Sequence, residues 1–472
     1  MGQSGAEIET KDEQQYIEEL SANSKQFAEE EKKLVRKIDL YLLPTIWIMY
    51  LLSYMDRTNI GNAKIAGMAD EMHLTSGEYS IALIVFFITY VVFEVPSNLI
   101  LTRTRPSVFL PVIMFLWGAV TCCMAAAKTY HHLIVLRLIV GILEAGFAPG
   151  ILLILSSWYK KNEQSKRFAV YISAAVLSGA FGGLLAGAIT GGLDGAHGIA
   201  GWRWLFIVEG VATSGWAIIA SFILLDFPST TKKFSARERA LAIARLAADN
   251  VQTRTEDTAS LTSIQALVKA LSDWRTWIMV AGYMVIVGSS TLSYFYPTLV
   301  KGLGYTAHMA QYMVVPIYAV AFVAVACTGF FMDKFPHMRG LVIASWLTIA
   351  MICSLVVCLV YNFTARYVLL IFMAAGLWAS NGLALSYAAS TFGSMQQEVR
   401  AVALALVNAL GNLAQIYGAY LFPSSDAPKY LKGFGVITGM CFFGICVYIT
   451  AHIMVRKFPN KRAVVGPDGV GV

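Results

Sequence analysis

Stretches of about twenty apolar residues recur along nearly the whole chain, each long enough to cross ~30 Å of hydrocarbon as a helix. About twelve are legible, near 38–60, 79–100, 108–127, 131–156, 168–192, 202–226, 276–300, 309–332, 339–361, 366–391, 399–422 and 433–455. Composition agrees: of 472 residues, 57% are hydrophobic and 14% charged, whereas soluble domains carry roughly half apolar and a quarter charged residues. The runs are continuous in Leu, Ile, Val, Ala and Phe, while barrel strands alternate apolar and polar residues over about ten positions. The expected class is all-α: a polytopic membrane protein of about twelve transmembrane helices.

One long polar interruption divides the runs six and six. The expected organisation is an N-terminal segment 1–37, a six-helix bundle 38–226, a linker 227–275, a second six-helix bundle 276–455 and a tail 456–472. Two such halves joined by a linker place a substrate site near mid-membrane between them and allow one half to rock against the other. Within the linker, Ser235 followed three residues later by Glu238 reads as a capping box opening a helix over Arg237 to Ala248. Leu261 to Trp274 reads as an amphipathic segment whose apolar face is Leu267, Val268, Leu271 and Trp274, resting on lipid or on helix ends.

Lys and Arg collect on one side of this scheme: Arg103, Arg105, Lys160, Lys161, Lys166, Arg167, the 232–275 segment, Lys334, Arg339 and the tail. The positive-inside rule makes that side, with both termini, cytoplasmic. The first 37 residues lack a basic, short-apolar, cleavable pattern, so the first span is the expected targeting signal, with the plasma membrane the expected destination. The net charge of +7 is explained by this topology and by anionic lipid rather than by nucleic acid. Asn362-Phe363-Thr364 is a glycosylation sequon on the outer side, close to the membrane. The seven cysteines lie inside apolar spans without Cys-x-x-Cys spacing, so neither a metal, a cofactor nor a disulfide framework is expected.

Against this apolar background four ionisable residues stand out: Asp56 and Arg57 in the first span, Arg137 and Glu144 in the fourth. A charge at the centre of a bilayer helix costs about 2.5–3.5 kcal/mol on insertion scales, so such residues mark transport pathways or proton relays. Arg137 and Glu144 are two turns apart on one helix face, about 10 Å along the axis, and cannot pair with each other. Asp56 and Arg57, being adjacent, diverge. Cross-helix pairing between the two spans, around a watery cavity, is the economical arrangement. Static ion pairs pinning the helices are the bland alternative, although buried pairs stabilise less than apolar packing would. In the functional reading Arg137 and Arg57 offer forked donors to an anionic group, while Asp56 and Glu144 take up protons. Glu94 and Glu209 are further acids within spans, explained equally by helix-end contacts.

The second half holds almost no charge in its spans but carries Tyr283, Ser289, Ser290, Tyr294, Trp378, Ser380, Asn381, Tyr387, Asn408, Asn412 and Gln415, a set suited to a substrate's body. The candidate substrate-binding residues are Arg57, Arg137, Tyr54, Tyr90, Tyr294, Asn381, Asn408 and Asn412. Gly179, Gly183, Gly187 and Gly191 form a stripe on the fifth span suited to close helix approach. Pro96, Pro149, Pro297 and Pro316 lie where each could kink a span.

Several stretches carry a family resemblance: Met55-Asp56-Arg57-Thr58-Asn59-Ile60-Gly61-Asn62-Ala63, Arg137 through Glu144-Ala145-Gly146 to Pro149-Gly150, Ser157-Trp158-Tyr159, and Gly201-Trp202-Arg203-Trp204-Leu205-Phe206 with Glu209-Gly210. The chain resembles, over about 36–458, the major facilitator superfamily, its anion:cation symporter family and the fungal allantoate permease branch. The resemblance implies proton-driven symport of a small organic anion, with the positions of Asp56 and Glu144 acting in proton coupling and those of Arg57 and Arg137 in anion binding or ion pairing. The superfamily's Gly-x-x-x-Asp-Arg motif is missing after the second span; Gly329 to Asp333-Lys334 keeps a partial copy after the eighth. The expected partners are a small organic anion, protons and membrane lipid, and the expected state is a monomer. Efflux of a secondary metabolite and a non-transporting nutrient sensor are the competing functions. An enzyme is not expected, because no nucleophile, base and orienting group occur at meaningful spacing.

Overall fold

The computed structural model describes residues 24–249, 261–296, 299–300, 307–418, 421–422, 426 and 429–458. Among the described residues, twelve helices are long and apolar enough to span a membrane: Gln26–Ala63, Ile81–Arg103, Pro106–Met124, Tyr130–Trp158, Lys161–Ala186, Gly201–Ile223, Trp274–Ser293, Met313–Lys334, Pro336–Leu359, Phe363–Phe392, Gln397–Gly418 and Leu431–Lys457. Helix is forced on such segments because hydrocarbon offers no partner for an unpaired backbone group.

The spans form two six-helix bundles with a repeated plan. The first span packs on the fifth and sixth, the second on the fourth, and the third on the fourth and sixth; each pairing recurs six spans later, as seventh on eleventh and twelfth, eighth on tenth, and ninth on tenth and twelfth. The halves meet where the second span packs on the eleventh and the fifth on the eighth and tenth. The fourth, tenth and eleventh spans are the most buried. Large apolar side chains such as Phe222, Val323, Ile352 and Phe442 point outward, as a lipid-facing surface requires.

The first helix, Ser24–Ala63, is 40 residues long, about 60 Å at 1.5 Å per residue and so longer than the bilayer is thick. Its projecting end is held by the linker: Arg245, fully buried, donates to Glu31 at 2.9 Å and to Glu163 at 2.5 Å, and Lys37 reaches Glu238 at 2.7 Å. Arg275 donates to the Phe458 carbonyl at 2.8 Å. The linker and both described ends of the chain therefore share one face, termed here the linker face.

The linker helices differ in part from the sequence reading. Ala236–Ala248 opens with the Ser235–Glu238 capping box as expected. The second helix is Ser263–Ser272, and its buried residues are Ala266 and Ala270, set against the eleventh span. Ile264, Val268 and Leu271 face outward, while Leu267 is partly buried against the core. Trp274 belongs to the seventh span, because Asp273 caps that helix by accepting from the Arg275 amide at 2.9 Å.

At the opposite face the Arg203 guanidinium donates to Glu71 at 2.8 Å and to the Ala127 carbonyl at 3.1 Å, and the Trp202 indole donates to Glu71 at 2.6 Å. The Arg203 and Trp202 hydrogen bonds hold the Glu71 carboxyl below its ordinary range. The helical turn that follows the first span breaks there at Gly67, whose φ of +101° a residue with a Cβ would adopt only under strain. Asn362 is exposed and caps the tenth span, accepting from the Ala365 amide at 3.1 Å.

Candidate functional site

The site is set by the crossing of the second and fourth spans. The fourth is built from Tyr130–Glu144 and Phe147–Trp158, broken beside Gly146. A Cβ on Gly141 would lie 2.6 Å from the Phe86 carbonyl oxygen, and one on Gly146 would lie 2.7 Å from Ser97 Cβ. Only glycine lets the backbones approach so closely. The approach brings Phe86 and Tyr90 level with Arg137 and Glu144.

There Arg57 reaches from the first span and donates through Nε to Glu144 Oε1 at 2.6 Å, while Ser53 donates to the same oxygen at 2.5 Å. Glu144 is fully buried. The Arg57 guanidinium lies 4.7 Å from the Tyr90 ring centroid and 5.4 Å from that of Tyr54. Its Nη2 is buried among these rings and has no hydrogen-bond partner. A guanidinium held through Nε, with an Nη donor unspent and aromatic faces around it, is preorganised to accept one more anionic group.

A cavity of about 1110 Å³ opens between the halves. Arg57, Tyr54, Tyr90, Tyr50 and Ser178 line it from the first half, and Tyr283, Tyr318, Trp378, Asn381, Asn408, Asn412 and Gln415 from the second. Arg57 and Asp194 are the charged residues among its described lining. The eleventh span contributes a hydrogen-bonded amide series, Gln415 to Asn412 at 2.8 Å and Asn412 to the Asn408 carbonyl at 2.9 Å, and Asn408 in turn donates to Glu94 at 2.6 Å. Tyr283 donates to Asn381 at 3.3 Å. The lining extends to Gly67 and Asp194, beyond the ends of the first and fifth spans, so the cavity reaches the face opposite the linker.

Toward the linker face the halves are locked together. Buried Arg339 donates to Ser165 at 2.8 Å and also to Ser390 and the Lys161 carbonyl. Buried Arg400 donates to Ser157 at 2.8 Å, Asn98 to the Ala401 carbonyl at 3.1 Å, and the Lys166 amide to Asp333 at 2.9 Å. The cavity is thus closed toward the linker face and open at the opposite one.

Of the four charges expected to share one chamber, Arg57 alone lines the cavity. Glu144 sits directly behind it. Asp56 turns the other way, into a pocket between the first, third and sixth spans, where Oδ2 accepts from Trp117 at 3.1 Å and Thr213 at 2.9 Å. The divergence of adjacent helical residues, here about 100°, produces this split. Arg137 is buried, 5.8 Å from the Phe86 ring centroid, with Nε and Nη2 unbonded, and does not line the cavity. Tyr54, Tyr90, Asn381, Asn408 and Asn412 all line it. The Tyr294 side chain and Pro297 lie outside the described residues, as do the surroundings of Gly187 and Gly191. Of the glycine stripe, Gly179 meets the Tyr318 ring, a Cβ there lying 2.8 Å from it, whereas Gly183 borders open space. Ser289 and Ser380 are buried away from the cavity and Tyr387 lies outside its lining.

Sequence reading missed Tyr50, Tyr318 and the lock residues Arg400 and Asn98. Tyr50 and Tyr318 look like ordinary aromatic members of apolar runs. Arg400 could have been flagged, because it falls inside the eleventh span.

Two membrane-spanning six-helix bundles around a polar cavity closed at one end define a transporter of small molecules. Residues 46–419 match the Major Facilitator Superfamily, and the chain belongs to that family. It is 37% identical to the MFS transporter prlL of Fungal sp. (strain NRRL 50135), over 94% of this chain and 90% of that protein. It is 27% identical to the high-affinity nicotinic acid transporter of Saccharomyces cerevisiae, over 92% of this chain and 80% of that one. The fold is similar to that of the proton:xylose symporter XylE bound to 6-bromo-6-deoxy-D-glucose, with a TM-score of 0.64 and 15% identity over 90% of this chain and 96% of that one.

Proposed function

We propose that this transporter is a proton-coupled symporter of a small monoanionic carboxylate, of the anion:cation symporter family and its allantoate permease branch, working by alternating access. The observation that carries the reading is the Arg57–Glu144 pair on the cavity wall: a guanidinium bonded at 2.6 Å to a fully buried carboxylate and facing the space a substrate would enter.

Coupling follows from competition for one guanidinium. A substrate carboxylate that approaches the Arg57 guanidinium from the cavity shares the charge that balances Glu144, and in a low-dielectric site that loss is large enough to be met by a proton. Glu144 then becomes neutral, the Arg57–Glu144 contact relaxes, and the lock beneath the cavity opens. Asp56 is the second proton-accepting residue, and Arg137 stands between the two acids as a fixed countercharge. The aromatic side chains and the amides of the eleventh span hold the substrate body. A relative named for nicotinic acid supports a small carboxylate. With the linker face cytoplasmic, as the positive-inside rule places it, substrate enters from outside through the plasma membrane into a monomer.

The test is substrate binding to purified protein as a function of pH, starting with nicotinate and extending to ureide, vitamin and aromatic carboxylates. Tighter binding as pH falls, abolished in Glu144→Gln, supports coupling at this pair. An identical pH profile in that variant removes Glu144 from the mechanism.

A further inference from the structure

Two buried acids are left over by the Arg57–Glu144 pair. Glu209 in the sixth span is 2% exposed, and neither of its carboxyl oxygens has a hydrogen-bond partner. Glu94 in the second span is 0% exposed; Asn408 donates to its Oε1 at 2.6 Å, and its Oε2 has no partner. A buried carboxyl with unused oxygens costs stability rather than supplying it, so packing does not explain either residue.

Their depths are ordered. At about 1.5 Å per residue, Glu209 lies about 12 Å into a helix that starts at Gly201, at the face where the cavity opens, and Thr213, about 18 Å into the same helix, sets the level of Asp56, to which it donates. Glu144 is about 21 Å from Tyr130 at that same face. Glu94 is about 14 Å from Arg103 at the linker face. Contacts link the series. Thr213, one turn beyond Glu209 on the same helix face, donates to Asp56 at 2.9 Å. Ser53, one turn before Asp56, donates to Glu144. Arg57 bonds Glu144 and covers the Tyr90 ring, and Asn408 donates to both the Tyr90 hydroxyl, at 3.4 Å, and Glu94.

We propose that Glu209 and Glu94 are the outer and inner stations of a proton path that passes Asp56 and Glu144 behind the substrate cavity. The path rests on the symport reading above. At each step an O–H bond breaks at one carboxyl and one forms at the next, the hydroxyls of Thr213, Ser53 and Tyr90 between them each giving up one proton as they take another; the proton enters from water at the cavity face and leaves to water at the linker face, and nothing is oxidised or reduced. The titratable groups on elements facing Glu209 are Asp56 of the first span and Cys122 of the third. Those around Glu94 are Arg57 of the first span, Tyr283 of the seventh and Tyr90 of its own helix, and Tyr90 in turn faces Glu144 of the fourth. Because Asn408 joins Glu94 across the two halves, the inner station opens to water only when the halves part beneath the cavity.

The experiment is infrared difference spectroscopy of the full chain in lipid vesicles, acidic minus alkaline, on wild type, Glu209→Gln, Glu94→Gln and the two Glu→Asp variants. In parallel, nicotinate is the probe for counterflow and for proton-driven accumulation in vesicles. Each Gln variant should lose one protonated-carboxyl band, the Asp variants should restore it, and both Gln variants should keep counterflow while losing accumulation driven by the proton gradient. Unchanged bands in both Gln variants overturn the path whatever the transport result. Unaltered proton-driven accumulation in both Gln variants overturns it while leaving symport standing. Uptake of nicotinate by wild type without any proton movement overturns symport and the path together.

Discussion

Arg57 and Arg137 illustrate how far a single residue's role depends on neighbours that its sequence context does not reveal. Both are guanidinium groups in apolar helices, yet one lines the cavity and bonds Glu144 while the other is enclosed beside Phe86. Arg57→Lys should therefore weaken carboxylate binding by at least about tenfold, equal to about 1.4 kcal/mol, because an ammonium cannot hold Glu144 through one nitrogen and offer others to substrate. Arg137→Lys should change affinity less; equal losses measured by equilibrium binding would contradict the assignment. Arg57→Ala removes the guanidinium bonded to buried Glu144, and thermal unfolding should show a loss of about 3–5 kcal/mol. Arg57 and Glu144 were legible because charge in an apolar run is costly and conspicuous. The partners of Asp56 were not, since Trp117 and Thr213 are ordinary members of such runs until three helices meet around them.

At the scale of elements, helix ends and close crossings carry the specificity. The Ser235–Glu238 box was readable from two residues because capping is local chemistry, and Ser235→Ala should cost about 1 kcal/mol. In Ser263–Ser272 the residues that approach the eleventh span are the small Ala266 and Ala270, which only the packing of the two helices reveals, while Val268 and Leu271 stay on the outer face. Gly141→Val should disrupt the crossing of the second and fourth spans, at a cost of about 1–3 kcal/mol or more, visible as a lower melting temperature and lost binding. Glu71 ties the loop after the first span to the sixth through Arg203 and Trp202. Its carboxyl is held below the ordinary range, so its contribution to stability is present above the unfolded carboxyl pKa of about 4.3 and fades as pH falls through the lower folded value. The difference in melting temperature between wild type and Glu71→Gln should therefore shrink on acidification; a difference independent of pH would contradict this.

For the whole molecule, the twelve spans and their division were legible because hydrocarbon thickness sets the length of every run. The direction in which the cavity opens was not, because it depends on long-range contacts such as Asn98 with Ala401 and Arg339 with Ser165. Cysteines placed at Asn98 and Ala401 in a background free of the native ones should crosslink and abolish transport while leaving cavity residues open to reagents from the opposite face. Continued transport by the crosslinked protein would contradict opening at this lock. The most direct measurement is proton flux accompanying carboxylate entry into vesicles, recorded for wild type and Glu144→Gln with the same substrate. Wild type should take up protons in fixed proportion to substrate and the variant should exchange substrate with no proton movement. The same proton-to-substrate ratio in both would show that the buried pair on the cavity wall does not couple the two.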